Sequence, residues 1–260
     1  MTSVTSNADT GERPMQVSVE QGVAKVLLDR KPVNAFNFAF YGQMADLMAE
    51  LATRTDLGVV LIGSAIDNIF SAGADIKDFK AVAAKPDSGE AREAAVNRML
   101  HALRDFPYPT VAVVDGPAVG AGCVFATVCD LRVASTRAWF SIPEIEVTRV
   151  GGGHHVRRLL PEGVMRRLFF TAERLPAERA YQLGFVEELT EPDQVWAAAD
   201  RLGASIAAKS RIGLRLGKRA LNDAEDLSLW DGYALEQQYS FRLGRLDADR
   251  ILKGPEAGGA

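Results

Sequence analysis

The sequence predicts an α/β core built on parallel strands, followed by an all-helical back third. Three observations predict it. As far as Ser135, short apolar runs bounded by turn formers alternate with segments of helical spacing, as in a sheet whose strands are buried on both faces and joined by crossover helices. After Arg157 the apolar residues recur at helical intervals instead. The chain has 260 residues, enough for a full core without staples, and it carries no internal repeat.

Residues 1–14, MTSVTSNADTGERP, are polar without an apolar run. They are expected to be a disordered lead-in, neither signal peptide nor anchor. The core is expected over residues 15–200. VAKVLLD (23–29) has strand composition, FAFYGQMADLMAELATR (38–54) has helical spacing, and GVVLIGS (58–64) is the short apolar run of a buried strand. AAKPDSGEA (83–91) reads as a mobile loop. AREAAVNRMLHALRDF (91–106) is an amphipathic helix, and after Pro107 and Pro109 TVAVVDG (110–116) is a second buried strand. GAGCVFATVCD (120–130) is a buried helix entered through glycines, and LRVAS (131–135) is again a strand. VMRRLFFTAE, PAERAYQLG, VWAAADRLGASIAAK, IGLRLGKRALND and LSLWDGYALEQQYSFRLGRL are helical in period. Residues 201–260 are expected to form a C-terminal helical region with a short disordered tail, KGPEAGGA.

The 30 basic and 34 acidic residues leave a net charge of −4, without the basic footprint of a nucleic-acid binder. No apolar segment is long enough to span a bilayer, and a cytoplasmic protein is the default expectation. Cys123 and Cys129 read as buried small hydrophobes in a reducing compartment. No metal-ligand spacing joins them to His101, His154 or His155, so no metal is expected.

Two turns combine a buried strand, glycines and a following segment: VVLIGSAIDNIFSAGADIKDF (59–79) and TVAVVDGPAVGAGCVFATVCD (110–130). The second opens a helix, where free N–H groups and the dipole favour negative charge. Such turns commonly only reverse the chain. Two of them could also supply a pair of N–H groups to an oxyanion. Neither matches a dinucleotide fingerprint or a phosphate loop.

Taken together, these segments resemble the crotonase family of enoyl-CoA hydratases and isomerases. KPVNAFN (31–37) is similar to the family's early coenzyme A segment, and FSAGADIKDF (70–79) to its AGxDI-type motif. VDGPAVGAGCVFATVCDLRVAS (114–135) is similar to its oxyanion helix and next strand, and FSIPEIEVTRVGGGHHVRRL (140–159) to its second acidic position. PAERAYQLGFVEEL (176–189) is also family-like. Each motif is loose, but five in order are specific. The resemblance implies a crotonase-like β-β-α superhelix, with a C-terminal helical region that forms a homotrimer or a dimer of trimers. It implies acyl-CoA thioester substrates, with coenzyme A entering as part of the substrate and no other cofactor, and it implies neither nucleic-acid nor membrane partners.

It further implies that the N–H groups of Ala74 and Ala121 hold a thioester enolate. Lys31, Val33, Ala35, Ala72, Asp75, Ile76, Lys77, Gly122 and Val124 would line the coenzyme A and acyl path. Family hydratases carry two glutamates. Val124 stands at the first position and Glu144 at the second. One carboxylate suffices to move a double bond, taking a proton at C2 and returning it at C4. Enoyl-CoA isomerisation with Glu144 as general base and acid is therefore the expected activity. The alternatives are a hydratase, hydratase-lyase or decarboxylase on an unusual acyl group, or a non-catalytic binder of acyl-CoA or RNA. Glu146, Arg149 and His154 are further candidates. In an extended segment Glu146 would point with Glu144, and Arg149 could bind a carboxylate on the acyl group. Many relatives continue with a basic helix beyond the last helical segment. The cover it supplies is expected to be missing here or borrowed from a neighbouring subunit.

Overall fold

The computed structural model describes residues 13–78 and 88–247. The lead-in up to residue 12, residues 83–87 of the expected loop and the KGPEAGGA tail lie outside them. Ser88 to Ala91 already belong to the helix that follows.

The expected strands form. β2 (Val23–Leu28), β3 (Val59–Ser64), β4 (Thr110–Val114) and β6 (Leu131–Ser135) run parallel in one sheet of order β1-β2-β3-β4-β6-β9. β3 and β4 are buried along almost their whole length, as continuous Val/Ile/Leu runs require. β1 (Met15–Glu20) is not among the expected strands and pairs antiparallel with β2 across the two-residue turn Gln21–Gly22.

Helix α1 (Phe38–Ala52), capped by Asn37 accepting from the Phe40 N–H at 3.0 Å, packs with α2 (Ser88–Arg104) over the main core. α7 (Val195–Ala207) covers the sheet's other face, where Val59, Leu61, Val111, Val113 and Val133 meet Val195, Ala198 and Ala199.

A second small sheet joins β5 (Pro117–Val119), β7 (Trp139–Ser141) and β8 (Leu175–Pro176). Between β5 and β6 runs α3 (Ala121–Val128), buried from Gly122 onward. Beyond β7 come a 3₁₀ turn (Pro143–Val147), α4 (Gly153–Val156), α5 (Glu162–Thr171) and α6 (Ala177–Gln182).

The back third is not all helical. Besides β8, β9 (Glu188–Thr190) adds to the main sheet beside β6. The buried Arg132 of β6 fixes it there. Its guanidinium pairs with Glu187, and the Glu187 carboxylate also accepts the Arg132 N–H. Three residues are too few to show strand alternation in the sequence.

α8 (Arg211–Ala224) and α9 (Leu229–Leu246) form a hairpin, capped by Ser210 and Ser228. It docks on the core through the buried Lys218, whose Nζ lies 2.7 Å from Asp130 and 3.2 Å from the Tyr108 carbonyl. Asp130 in turn accepts from the Thr110 N–H and hydroxyl at 2.7 and 2.9 Å. Among the described residues no helix is long and apolar enough to cross a membrane.

Candidate active site

Backbone pairing brings the two glycine turns together. The Phe70 and Ser71 N–H groups donate to the Pro117 carbonyl, and the Val119 N–H donates to the Ser71 carbonyl at 2.9 Å. The Asn34 side chain, buried with its Nδ2 on Ser64 Oγ and the Phe70 carbonyl, locks 31–37 onto the first turn. The Ala72 N–H donates to Val33, Phe36 to Gly73, and Asp75 to Phe36. Gly73 sits at φ +85, and a Cβ there would lie 2.5 Å from the Val119 oxygen and 3.3 Å from the Ala121 nitrogen. Only glycine permits that backbone contact.

Ala74, next to Gly73, is thereby held near Ala121, and both are partly exposed. Neither N–H donates to another group among the described residues. Ala121 opens α3, where the helix dipole adds positive potential. Two undonated amides beside a helix N-terminus are the elements of an oxyanion site.

β7 places the carboxylate. It pairs parallel with β5, with Ser141 opposite Val119, and the Gly120 N–H donates to the Ser141 carbonyl at 2.9 Å. The chain then turns at Pro143, and Glu144 folds back over Gly120. A Cβ on Gly120 would lie 2.8 Å from Glu144 Oε1. The other oxygen, Oε2, is buried without a hydrogen-bond partner among the described residues. Burial pushes the Glu144 carboxyl above the usual carboxylate range, its own backbone N–H opposing less strongly. A partly buried acid with one unsatisfied oxygen, folded over Gly120 just before the Ala121 amide, has the environment of a proton-exchanging group.

Val124, one helical turn beyond Ala121, is 6% exposed and packs against Gly152. Gly152 is at φ +73, and a Cβ there would lie 2.4 Å from Val124 Cγ2. Gly152→Ala is therefore expected to lower stability by about 1–3 kcal/mol through strain and overpacking. Thermal denaturation should show Val124→Ala restoring part of that loss in the double variant, because the clash goes and the strained φ stays.

The other candidates separate. The segment after Pro143 is a 3₁₀ turn, not extended. At three residues per turn, positions two apart point away from each other. Glu146 is accordingly exposed and does not point with Glu144. Arg149 and His154 are exposed as well, so none of the three shares the burial of Glu144. The Arg149 backbone N–H donates to the Glu144 carbonyl at 2.9 Å. His101 lies on the surface, 3.6 Å from Asp105.

Lys31, Val33, Ile76 and Lys77 are exposed, Ala35, Ala72 and Asp75 are partly buried, and Gly122 is buried. The Asp75 carboxylate is already engaged, by Arg30 at 3.0 Å and the Lys77 N–H at 3.0 Å. Burial alone would raise it, but the Asp78 and Lys77 amides and Arg30 outweigh that and hold it below the usual range. Cys123 and Cys129 are buried, which pushes both thiols up to about 12 and leaves no thiolate near neutral pH. Sequence reasoning missed Asn34, Ser71, Gly120 and Gly152. Asn34 and Ser71 are polar residues inside apolar motifs, the one signal that could have singled them out.

The chain is similar to known proteins in sequence and in fold. The chain is 34% identical over 227 residues to the (7aS)-7a-methyl-1,5-dioxo-2,3,5,6,7,7a-hexahydro-1H-indene-carboxyl-CoA hydrolase of Mycobacterium tuberculosis, covering 86% of this chain and 90% of that protein. It is 29% identical over 225 residues to the short-chain-enoyl-CoA hydratase of Clostridium acetobutylicum, covering 84% and 85%. It superposes on the crystal structure of an enoyl-CoA hydratase from Geobacillus kaustophilus HTA426 with a TM-score of 0.85, at 22% identity and 91% and 90% coverage, which shows a common fold. The family model described as enoyl-CoA hydratase/isomerase matches residues 18–255. The chain belongs to the enoyl-CoA hydratase/isomerase, or crotonase, family.

Proposed function

We propose that this protein isomerises a 3-enoyl-CoA to the conjugated 2-enoyl-CoA through an enolate, with Glu144 as its acid–base group. The family acts on acyl-CoA thioesters, and the reaction needs no cofactor beyond the coenzyme A of the substrate. Glu144 takes the C2 proton. The electron pair passes through the thioester carbonyl to its oxygen, where the Ala74 and Ala121 N–H groups hold the negative charge. The same carboxyl returns the proton at C4, where the C3–C4 pair forms the new C–H bond, the enolate C1–C2 pair moves to C2–C3, and the carbonyl re-forms. The observation that carries this reading is the Glu144 carboxyl folded over Gly120, its Oε2 buried and without a hydrogen-bond partner among the described residues, with Val124 rather than an acid on the adjoining turn of α3.

A second reading is favoured by the relatives. Two of them are named for a hydration and a hydrolysis, reactions in which water is added. Glu144 would then activate water without a second carboxylate. Incubation with a 3-enoyl-CoA and, separately, a 2-enoyl-CoA separates the two. Isomerisation predicts a conjugated product of unchanged mass from the first. Water addition to the second with no isomerisation of the first would replace that reading with the other.

The hairpin exposes Leu221, Leu229, Trp230 and Phe241, a face suited to assembly into trimers. Sedimentation should therefore give a trimer or a multiple of it.

A further inference from the structure

The hairpin α8–α9 lies apart from the site, yet one residue links them. Glu225, just past the end of α8, receives two guanidinium groups. Arg104 at the end of α2 pairs with Oε2, and Arg158 just past α4 pairs with Oε1. All three side chains are about a quarter exposed, at 23%, 28% and 27% for Arg104, Arg158 and Glu225, so water screens the bracket only in part. Asn222 adds a bond from Nδ2 to the Arg104 carbonyl at 2.9 Å.

Apart from the Lys218 anchor on Asp130, α8 stands off from α3. A cleft of about 700 Å³ separates it from the far end of α3, with Val128, Leu159, Leu214 and Leu221 on its walls. Packing across that gap cannot transmit position, whereas the bracket at its rim can. From Arg158 the path to the site is short. The Arg158 N–H donates to the His155 carbonyl, α4 packs on α3, and its N-cap Gly152 abuts Val124. The loop before Gly152 returns to the carboxylate segment, where the Arg149 N–H donates to the Glu144 carbonyl.

We propose that Glu225 is a positioning residue for the active site: by clamping Arg158 and Arg104 it fixes α4 and the loop behind it, and so keeps the Glu144 carboxyl buried. This rests on the reading of Glu144 as the acid–base group. The bracket does not touch substrate.

The test is to titrate Glu144 directly by carbon-13 NMR of its carboxyl carbon, the signal assigned by its loss in Glu144→Gln. The comparison is between wild type, Glu225→Gln, Arg158→Gln, their double variant and Lys218→Met. In Glu225→Gln and Arg158→Gln, Glu144 is expected to titrate closer to an ordinary carboxylate. kcat is expected to fall on the order of tenfold while KM moves by less than about twofold. The double variant should be no worse than either single one, since both break the same link. Lys218→Met removes the hairpin's other anchor and should lower the melting temperature while leaving the Glu144 titration unchanged.

An unchanged Glu144 titration in Glu225→Gln would overturn the proposal. So would an equal shift in Lys218→Met, which would make the effect one of hairpin docking in general. If Glu225→Gln does not fold, Arg158→Gln, in which Glu225 keeps Arg104, breaks the same link, and an unchanged titration there overturns the proposal equally. The titration is read without turnover. An active Glu144→Gln enzyme would therefore overturn the catalytic reading and leave this result to stand or fall by itself.

Discussion

Glu144→Gln is expected to lose about 10²–10⁴-fold in kcat, the usual contribution of a positioned acid–base group, and to gain stability at neutral pH. Both follow from one fact. The carboxyl is partly buried, its Oε2 fully so and without a partner among the described residues, and burial raises its pKa in the folded state. The charged form is needed to begin the reaction, and the fold disfavours it. The folded chain holds its proton to a higher pH than the unfolded chain. Stability from this group is therefore full below the unfolded pKa and is lost as pH rises through the folded one. Glutamine never ionises, so the variant avoids that loss. Its melting temperature should exceed that of wild type at neutral pH, and the gap should close on acidification. In wild type, kcat/KM should fall towards acid pH with a limb lying above the ordinary carboxylate range. A variant both inactive and less stable at neutral pH would mean that Glu144 serves packing instead of proton transfer.

Ala121→Pro should cost about 10²–10³-fold in kcat, as the loss of one oxyanion donor does elsewhere. The substitution removes the N–H and sets the ring Cδ in its place, so the oxygen loses its donor there. Ala121 is the first residue of α3, where proline fits the helix and no intrahelical bond is lost. The preceding residue is Gly120 at φ 51, ψ −118, the mirror image of the extended conformation that proline asks of its neighbour. Glycine, lacking a Cβ, adopts both equally. Circular dichroism should report an intact fold. An Ala121→Gly control keeps the N–H and should keep most of the activity. Equal activity in the proline variant would remove the amide from the mechanism.

Much of this is legible in the sequence because it depends on short-range patterns. The runs at β3 and β4 are apolar throughout, and only a strand buried on both faces uses such a run. The glycines of the two turns mark close approach to the backbone, and Gly73 meets the Val119 carbonyl while Gly120 meets the Glu144 carboxylate. β1 escapes because Gln16, Ser18 and Glu20 dilute its apolar content, although alternation and the Gln21–Gly22 turn are present. The difference between Glu144 and Glu146 is hidden because an extended chain would align the two. The turn after Pro143 is 3₁₀, and the rotation per residue decides which acid turns inward and which faces solvent. The contacts of Val124 with Gly152 and of Glu225 with Arg158 join residues far apart in the chain. No local period encodes them. They arise only when the small sheet and the hairpin close around α3.

On the proposed reading, Glu144 and the two amides together make an enolate. Exchange of the α-hydrogens of saturated acyl-CoA thioesters in deuterium oxide tests it most directly, because exchange needs deprotonation at C2 and nothing further. A panel of straight, branched and cyclic acyl groups should be used, with wild type and Glu144→Gln in parallel. The account predicts deuterium at C2 with wild type for at least one acyl group, and none above background with Glu144→Gln. Exchange that survives in Glu144→Gln, or no exchange by wild type with any acyl group that binds, would contradict it.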